Sequence, residues 1–268
     1  MASILISPSP TTVLEPPVCA RVLGVPVHSV GVEEVLAHME QWIEQRERGR
    51  WIAVTSSHGI VEGFKRPDFR EIIESADLSV PDGMWTARVA AQKISSTPKR
   101  IRGADLLTGF SSLANQRGYS SFFYGDTEEV LALLSGELKS RFPSLEIAGT
   151  FSPPFRALAP REDEEIVRMI NRAKPDVLWV GLGLPKQERW IYEHLDRLEV
   201  PVVVAVGAAF KFVSGKVKPA PRMISEFGLE WLWRLVSEPK KCWHRALVYG
   251  PQFALYSYLE LKGLRNYD

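Results

Sequence analysis

Only two cysteines, Cys19 and Cys242, occur in 268 residues, and neither belongs to a C-x-x-C or Cys/His ligand cluster. Neither a disulfide scaffold nor a structural zinc site is expected. No run of about 18 apolar residues exists, so no membrane-spanning helix is expected. The first 17 residues lack the basic flank and apolar stretch of a secretion signal. Charge of one sign is not in excess either, with 33 Lys+Arg against 32 Asp+Glu, which argues against a nucleic-acid binder. No Asp-x-Asp pair occurs, so that common carboxylate clamp for a divalent cation on a diphosphate is missing. Arg and Lys would have to neutralise such a group. No G-x-S-x-G elbow surrounds Ser56 or Ser57, and no repeat of solenoid length is present. The expected setting is a reducing cytoplasm, with membrane contact only from the inside.

What remains is an ordinary globular composition, 45% apolar and 24% charged. A chain this long buries about 70–75% of the surface that its unfolded form exposes. Residues 1–18, with four prolines and no periodicity, read as a flexible leader. RVLGVPVHSV (21–30) reads as a strand or hairpin, and 32–47 places Val35, Leu36, Met39 and Ile43 on one helical face. Strands are expected at 51–56, 77–80, 120–124, 145–150, 177–181 and 202–206. Helices are expected at 67–76, opened by Pro67, and near 84–92, 104–117, 128–141, 161–173 and 187–198. Strands alternating with helices imply a Rossmann-like α/β fold, a largely parallel sheet with helices on both faces.

In such a sheet, ligands bind beyond the carboxyl ends of the strands. Four loops there are polar or glycine-rich: TSSH (55–58), PDG (81–83), GDT (125–127) and GLGLPKQE (181–188). Gly181-x-Gly183 lets backbone N–H groups approach a phosphate. Lys186, however, occupies the site of the third glycine of a dinucleotide fingerprint, so a plain tight turn remains an equal reading. At the following helix start, Lys186 can approach phosphate and Gln187 can hydrogen-bond a sugar hydroxyl. Asp82, in isolation, reads first as a turn residue bonding its own backbone and second as a general base. His58 has no identified acidic partner and reads as structural or solvent-facing. Asp126 with Thr127 reads as a helix N-cap.

Between Lys211 and Gly250, eight Lys/Arg face three acids, interleaved with Trp231, Trp233, Trp243 and Tyr249 and followed by Phe253, Tyr256 and Tyr258. That pattern suits a segment lying among lipid headgroups. It suits equally a core-packed terminal hairpin.

Over nearly all of residues 20–260 the sequence resembles the WecG/TagA/CpsF glycosyltransferases (glycosyltransferase family 26). The resemblance is carried by ADLSVPDGMW (76–85), KRIRGADLL (99–107), GTFSPPF (149–155), PDVLWVGLGLPKQERWI (175–191), VGAAFKFVSGKVKPAPR (206–222) and GLEWLWRLVSEPKK (228–241). It implies an inverting, metal-independent, cofactor-free enzyme of cell-surface or extracellular polysaccharide synthesis. Such an enzyme moves a sugar from a UDP-sugar to a polyprenyl-diphosphate-linked sugar on the inner membrane face. By the resemblance, Asp82 matches the catalytic base, Thr55 lies in the neighbouring substrate pocket, and Arg100 and Gln187 match donor contacts. The C-terminal appendage of such enzymes closes over the site and anchors the enzyme on the membrane. Arg234 matches the first of its basic residues, while Lys241 stands where arginine is usual and lacks the bidentate fork. Ser57 stands where many relatives have asparagine and Lys211 where aspartate is common, departures that bear on the donor sugar or the uridine contacts.

The resulting expectation has three parts: the leader (1–18), an α/β core (19–227) and a basic, aromatic, membrane-associating helical appendage (228–268). Asp82 is the expected catalytic residue, with Thr55, Ser57, Arg100, Lys186, Gln187, Lys211, Arg234 and Lys241 binding substrate. Apolar surface near the tail makes a homo-oligomer an expectation as well. The alternatives are a non-catalytic membrane adaptor and a dinucleotide-dependent oxidoreductase using Gly181 and Gly183.

Overall fold

A computed structural model describes residues 14–267, apart from the side chains of Arg222 and Lys241. Most of the expected leader thus lies outside the described residues. A hairpin of β1 (Cys19–Val22) and β2 (Val25–His28) is followed by α1 (Val32–Glu44), β3 (Arg50–Thr55), α2 (Ser57–Lys65), α3 (Pro67–Glu74), β4 (Leu78–Pro81), α4 (Met84–Lys93) and α5 (Gly103–Arg117). The second half runs β5 (Ser120–Gly125), α6 (Glu128–Arg141), β6 (Glu146–Phe151), α7 (Pro160–Ala173), β7 (Val177–Gly181), α8 (Lys186–His194) and β8 (Val202–Ala205). Short helices complete it: α9 (Ala209–Val213), α10 (Arg222–Glu226), α11 (Glu230–Ser237), α12 (Pro239–His244), a π-helical turn at Arg245–Tyr249 and α13 (Gly250–Leu261).

Six strands form one sheet in the order β4-β3-β8-β7-β5-β6, every pair parallel. The central strands VLWVG and VVVA are buried throughout, as strands covered on both faces must be. Their period of two sorts the core. Trp51, Ala53, Leu178, Val180, Val203 and Ala205 face α2, α3, α7, α8 and α13. Ile52, Val54, Val177, Trp179, Val202 and Val204 face α1, α5, α6 and α9. Because all six strands are parallel, their carboxyl ends share one edge, and all four loops singled out from sequence lie there.

On the outer side of β4, the hairpin takes the place of a seventh strand. His28 Nδ1 accepts the Ser79 N–H at 2.9 Å, so one imidazole satisfies a strand-edge donor. At the opposite end of the chain, α13 packs on α2 and α4. Its Glu260 carboxylate accepts the Leu23 N–H (3.2 Å) and pairs with Lys93 (2.8 Å). Phe253 is buried in the core.

Three local expectations are corrected. The TSSH segment is not all loop, since Ser57 and His58 form the first turn of α2, capped by Ser56 in extended backbone. Gly59 and Gly63 hid that helix; a Cβ at Gly63 would meet Val25 at 2.8 Å, so both glycines serve close packing. The cap of α6 is Thr127, whose hydroxyl accepts the Val130 N–H, rather than Asp126. The helix expected to 198 ends as α-helix at His194 and finishes in a 3-10 turn over Leu195–Arg197.

Candidate active site

Asp82 follows β4 directly. Its N–H donates to Thr55 O (2.9 Å) across the β3–β4 pair, and the Ile101 N–H holds Pro81 O (2.9 Å). Gly83 caps α4 at φ 133°, ψ 144°, a conformation essentially closed to residues with a Cβ. The Asp82 carboxylate makes no capping bond to α4, since no side chain caps that helix. Loss of solvent pushes its pKa up to about 6; Glu230 adds to the rise, while Arg245, Arg234 and Arg100 oppose it. A carboxylate near 6 is ionised at neutral pH yet markedly more basic than a surface aspartate.

The three guanidiniums come from distant segments. Arg100 Nη1 donates to Ser225 O and Ser225 Oγ (both 3.0 Å) and lies 3.8 Å from Glu230. Arg234 stacks over Phe212 at 5.3 Å, and its buried Nε has no hydrogen-bond partner. Arg245, in the π-helical turn, is pulled below the usual arginine range by desolvation and by Arg234. The tail is also tied to the segment after Asp82, because Trp85 Nε1 donates to Gly228 O at 3.0 Å. Thr55 is buried, its hydroxyl 2.9 Å from Ser79 Oγ. The His58 ring lies 4.0 Å from that of Tyr249, tilted by 55°, and burial followed by Arg245 drives its pKa down to about 4. It is neutral at pH 7 and is no proton carrier there.

A second region opens beyond β5, β7 and β8: a cleft of about 480 Å³ lined by Tyr124, Asp126, Phe155, Gly183, Lys186, Gly207 and Lys211, among others. Gly181 and Gly125 let its floor close up, since a Cβ on Gly125 would sit 2.6 Å from Gly181 backbone. Lys211 Nζ lies 3.4 Å from Asp126 Oδ2. Lys186 opens α8 and lines the cleft, adding an ammonium to the positive end of that helix.

The structure thus sorts the expected residues into two groups along one edge. Asp82, Thr55, Arg100 and Arg234 gather at β3 and β4, with Ser57 opening α2. Lys186, Gln187 and Lys211 gather at β7 and β8. At about 4.8 Å per strand, β4 and β7 are about 14 Å apart. The side chain of Lys241 lies outside the described residues. Gln187 does not face the cleft: its amide is committed to Gly183, Gly207 and Glu188. The sequence reading did not place Glu230, Ser225 or Trp85 at the site, while Arg245 belongs to the basic residues it held available for a diphosphate. Glu230, Ser225 and Arg245 come to the site by tertiary contact over more than a hundred residues, whereas Trp85 lies three residues after Asp82. Among the described residues no group of three or more His, Cys, Asp or Glu is placed to hold a metal ion, and no helix is long and apolar enough to cross a membrane.

A parallel α/β sheet with a basic carboxylate and guanidiniums at its carboxyl edge defines a group-transfer enzyme scaffold, and sequence comparison agrees. The chain belongs to the glycosyl transferase WecG/TagA/CpsF family, matching the family profile over residues 20–267. It is 31% identical over 212 residues to an N-acetylglucosaminyldiphosphoundecaprenol N-acetyl-beta-D-mannosaminyltransferase of Bacillus spizizenii (strain ATCC 23059 / NRRL B-14472 / W23), covering 79% of this chain and 80% of that protein. Proteins with the same description from Bacillus subtilis (strain 168) and Staphylococcus aureus (strain MW2) are each 26% identical, covering 91% and 82% of this chain and 93% and 85% of their own lengths. Membership in a glycosyltransferase family leaves the dinucleotide reading of Gly181 and Gly183 without support.

Proposed function

We propose that this chain transfers a sugar, of hexosyl or N-acetylhexosaminyl type, from a UDP-sugar to a polyprenyl-diphosphate-linked sugar, with inversion at the anomeric carbon. It works peripherally on the inner face of the cell membrane. The observation that carries the proposal is the Asp82 carboxylate at the carboxyl end of β4, made more basic by loss of solvent and within electrostatic reach of the Arg100, Arg234 and Arg245 guanidiniums. Ionised Asp82 takes the proton of the acceptor hydroxyl as that oxygen bonds the donor anomeric carbon. The bond from that carbon to the β-phosphate oxygen breaks, and UDP leaves with the electron pair. Arg100, Arg234 and Arg245 offset the charge that develops on the diphosphate. The cleft with Lys186 and Lys211 supports a nucleotide site, and the relatives' names support the acceptor class.

The appendage supports the membrane part. Met223, Phe227, Trp231, Leu232, Val236, Trp243 and Leu247 are all exposed, while α13 packs on the core. The segment 228–268 is therefore a lipid-facing part (α11, α12) followed by a core-packed part. The same exposed band is the surface through which self-association would run.

The test is UDP release by purified protein from a panel of UDP-sugars and an undecaprenyl-diphosphate-sugar analogue in EDTA. Acceptor-dependent release is expected, falling at least about a hundredfold in Asp82→Asn. Equal activity in the variant would remove Asp82 from the mechanism. Lipid binding with no release from any donor would favour the adaptor alternative.

A further inference from the structure

Gln187 and Glu188 stand at the start of α8, yet both are buried, each 2% exposed. Gln187 Oε1 accepts two backbone donors, the Gly183 N–H (3.2 Å) after β7 and the Gly207 N–H (2.9 Å) after β8. Its Nε2 donates to Glu188 Oε1 at 2.8 Å. The amide can take only this orientation, because the reverse would set its NH2 against two N–H donors. Every strong hydrogen-bonding direction of the Gln187 oxygen is then spent inside the protein. Both glycines line the cleft and have positive φ, 79° and 55°, so neither loop is held by regular secondary structure. Glu188 Oε2 is buried without a partner, a costly arrangement for a carboxyl group that only fills space.

We infer that Gln187 and Glu188 form a brace: Glu188 fixes the Gln187 amide, which pins the β7 and β8 loops to one oxygen and sets the width of the nucleotide cleft. Both are positioning residues, and neither touches substrate. This deepens the proposed function, since the ligand of the braced cleft is the nucleoside diphosphate of the donor. It replaces the sequence-based expectation that Gln187 contacts the donor directly.

The chemistry supplies a swap. In a Gln187→Glu/Glu188→Gln double variant, a carboxylate at 187 accepts the same two N–H groups and an amide at 188 donates back to it. Gln187→Glu alone puts two carboxylates face to face. UDP affinity by calorimetry and amide exchange at Gly183 and Gly207 by NMR are measured for wild type, Gln187→Ala, Glu188→Ala, Gln187→Glu and the swap. The three single variants are expected to bind UDP about five- to tenfold more weakly and to lose protection at both glycines, with kcat for donor transfer changed far less than the donor KM. The swap is expected to regain both affinity and protection. A swap as weak as Gln187→Glu, or glycine exchange unchanged in the alanine variants, would overturn the brace. Exchange reads the brace without ligand, so absence of UDP binding in the wild type would count against the nucleotide reading alone.

Discussion

The cost and use of single charges are clearest at Asp82. Its folded pKa, about 6, lies above the unfolded value of about 3.9. The folded state therefore holds a proton more firmly between those values, and this group's contribution to stability falls as pH rises through them. At neutral pH the buried carboxylate works against folding, and Asp82→Asn is expected to raise Tm by a few degrees at pH 7.5 and to lose that advantage near pH 4. Catalysis has the opposite sign, because the base must be ionised. The log of kcat/KM is expected to fall with unit slope below about pH 6, with a limb that moves down when Glu230→Gln removes the like charge. His58, held neutral, is expected to leave that limb in place when changed to Gln. The Pro-Asp-Gly turn could be read from sequence as a turn, but its chemistry could not. What makes Asp82 basic is loss of solvent and then Glu230, against the opposing pull of Arg245, Arg234 and Arg100, and no local pattern encodes that balance. Asp126 was misread for the same reason, since Lys211 claims its carboxylate from another strand end.

Elements were legible where a single period decided them. The apolar runs 177–181 and 202–205 are strands buried at every position, and α5 and α6 begin and end within a residue of their sequence-based limits. The pattern failed at α2, where glycines needed for packing on Val25 broke the apolar stripe. It was ambiguous in the tail because α13 differs from the helices before it. In α13 Phe253 is 4% exposed and packs in the core, although Tyr258 is 57% exposed, whereas in α11 and beyond Val236 is 75% and Leu247 59% exposed. Val236→Ser with Leu247→Ser is expected to lower sedimentation with anionic vesicles by about five- to tenfold. Turnover of a short-chain, water-soluble acceptor is expected to stay at the wild-type level. Unchanged sedimentation would move the membrane contact elsewhere.

For the whole molecule, the sheet order was out of reach of sequence, because parallel strands identify their neighbours only through the packed core. The fold class and the common edge of the loops were not, since both follow from alternating strands and helices. Cutting the chain after Gly228 would remove Phe253 and Glu260 together with the exposed apolar helices, so loss of vesicle binding in that truncation would also report unfolding. Glu260→Ala isolates the clamp. It takes an acceptor from the Leu23 N–H and from Lys93 and is expected to cost about 3 kcal/mol, read as a fall in Cm at unchanged m. That clamp also orders events during translation. The β1–β2 hairpin leaves the ribosome 237 residues before the carboxylate that satisfies its turn. Through most of synthesis the hairpin waits with an open backbone donor, and the segment that closes it follows the exposed apolar helices α11 and α12 out of the exit tunnel. The core is thus sealed only after that apolar surface has emerged.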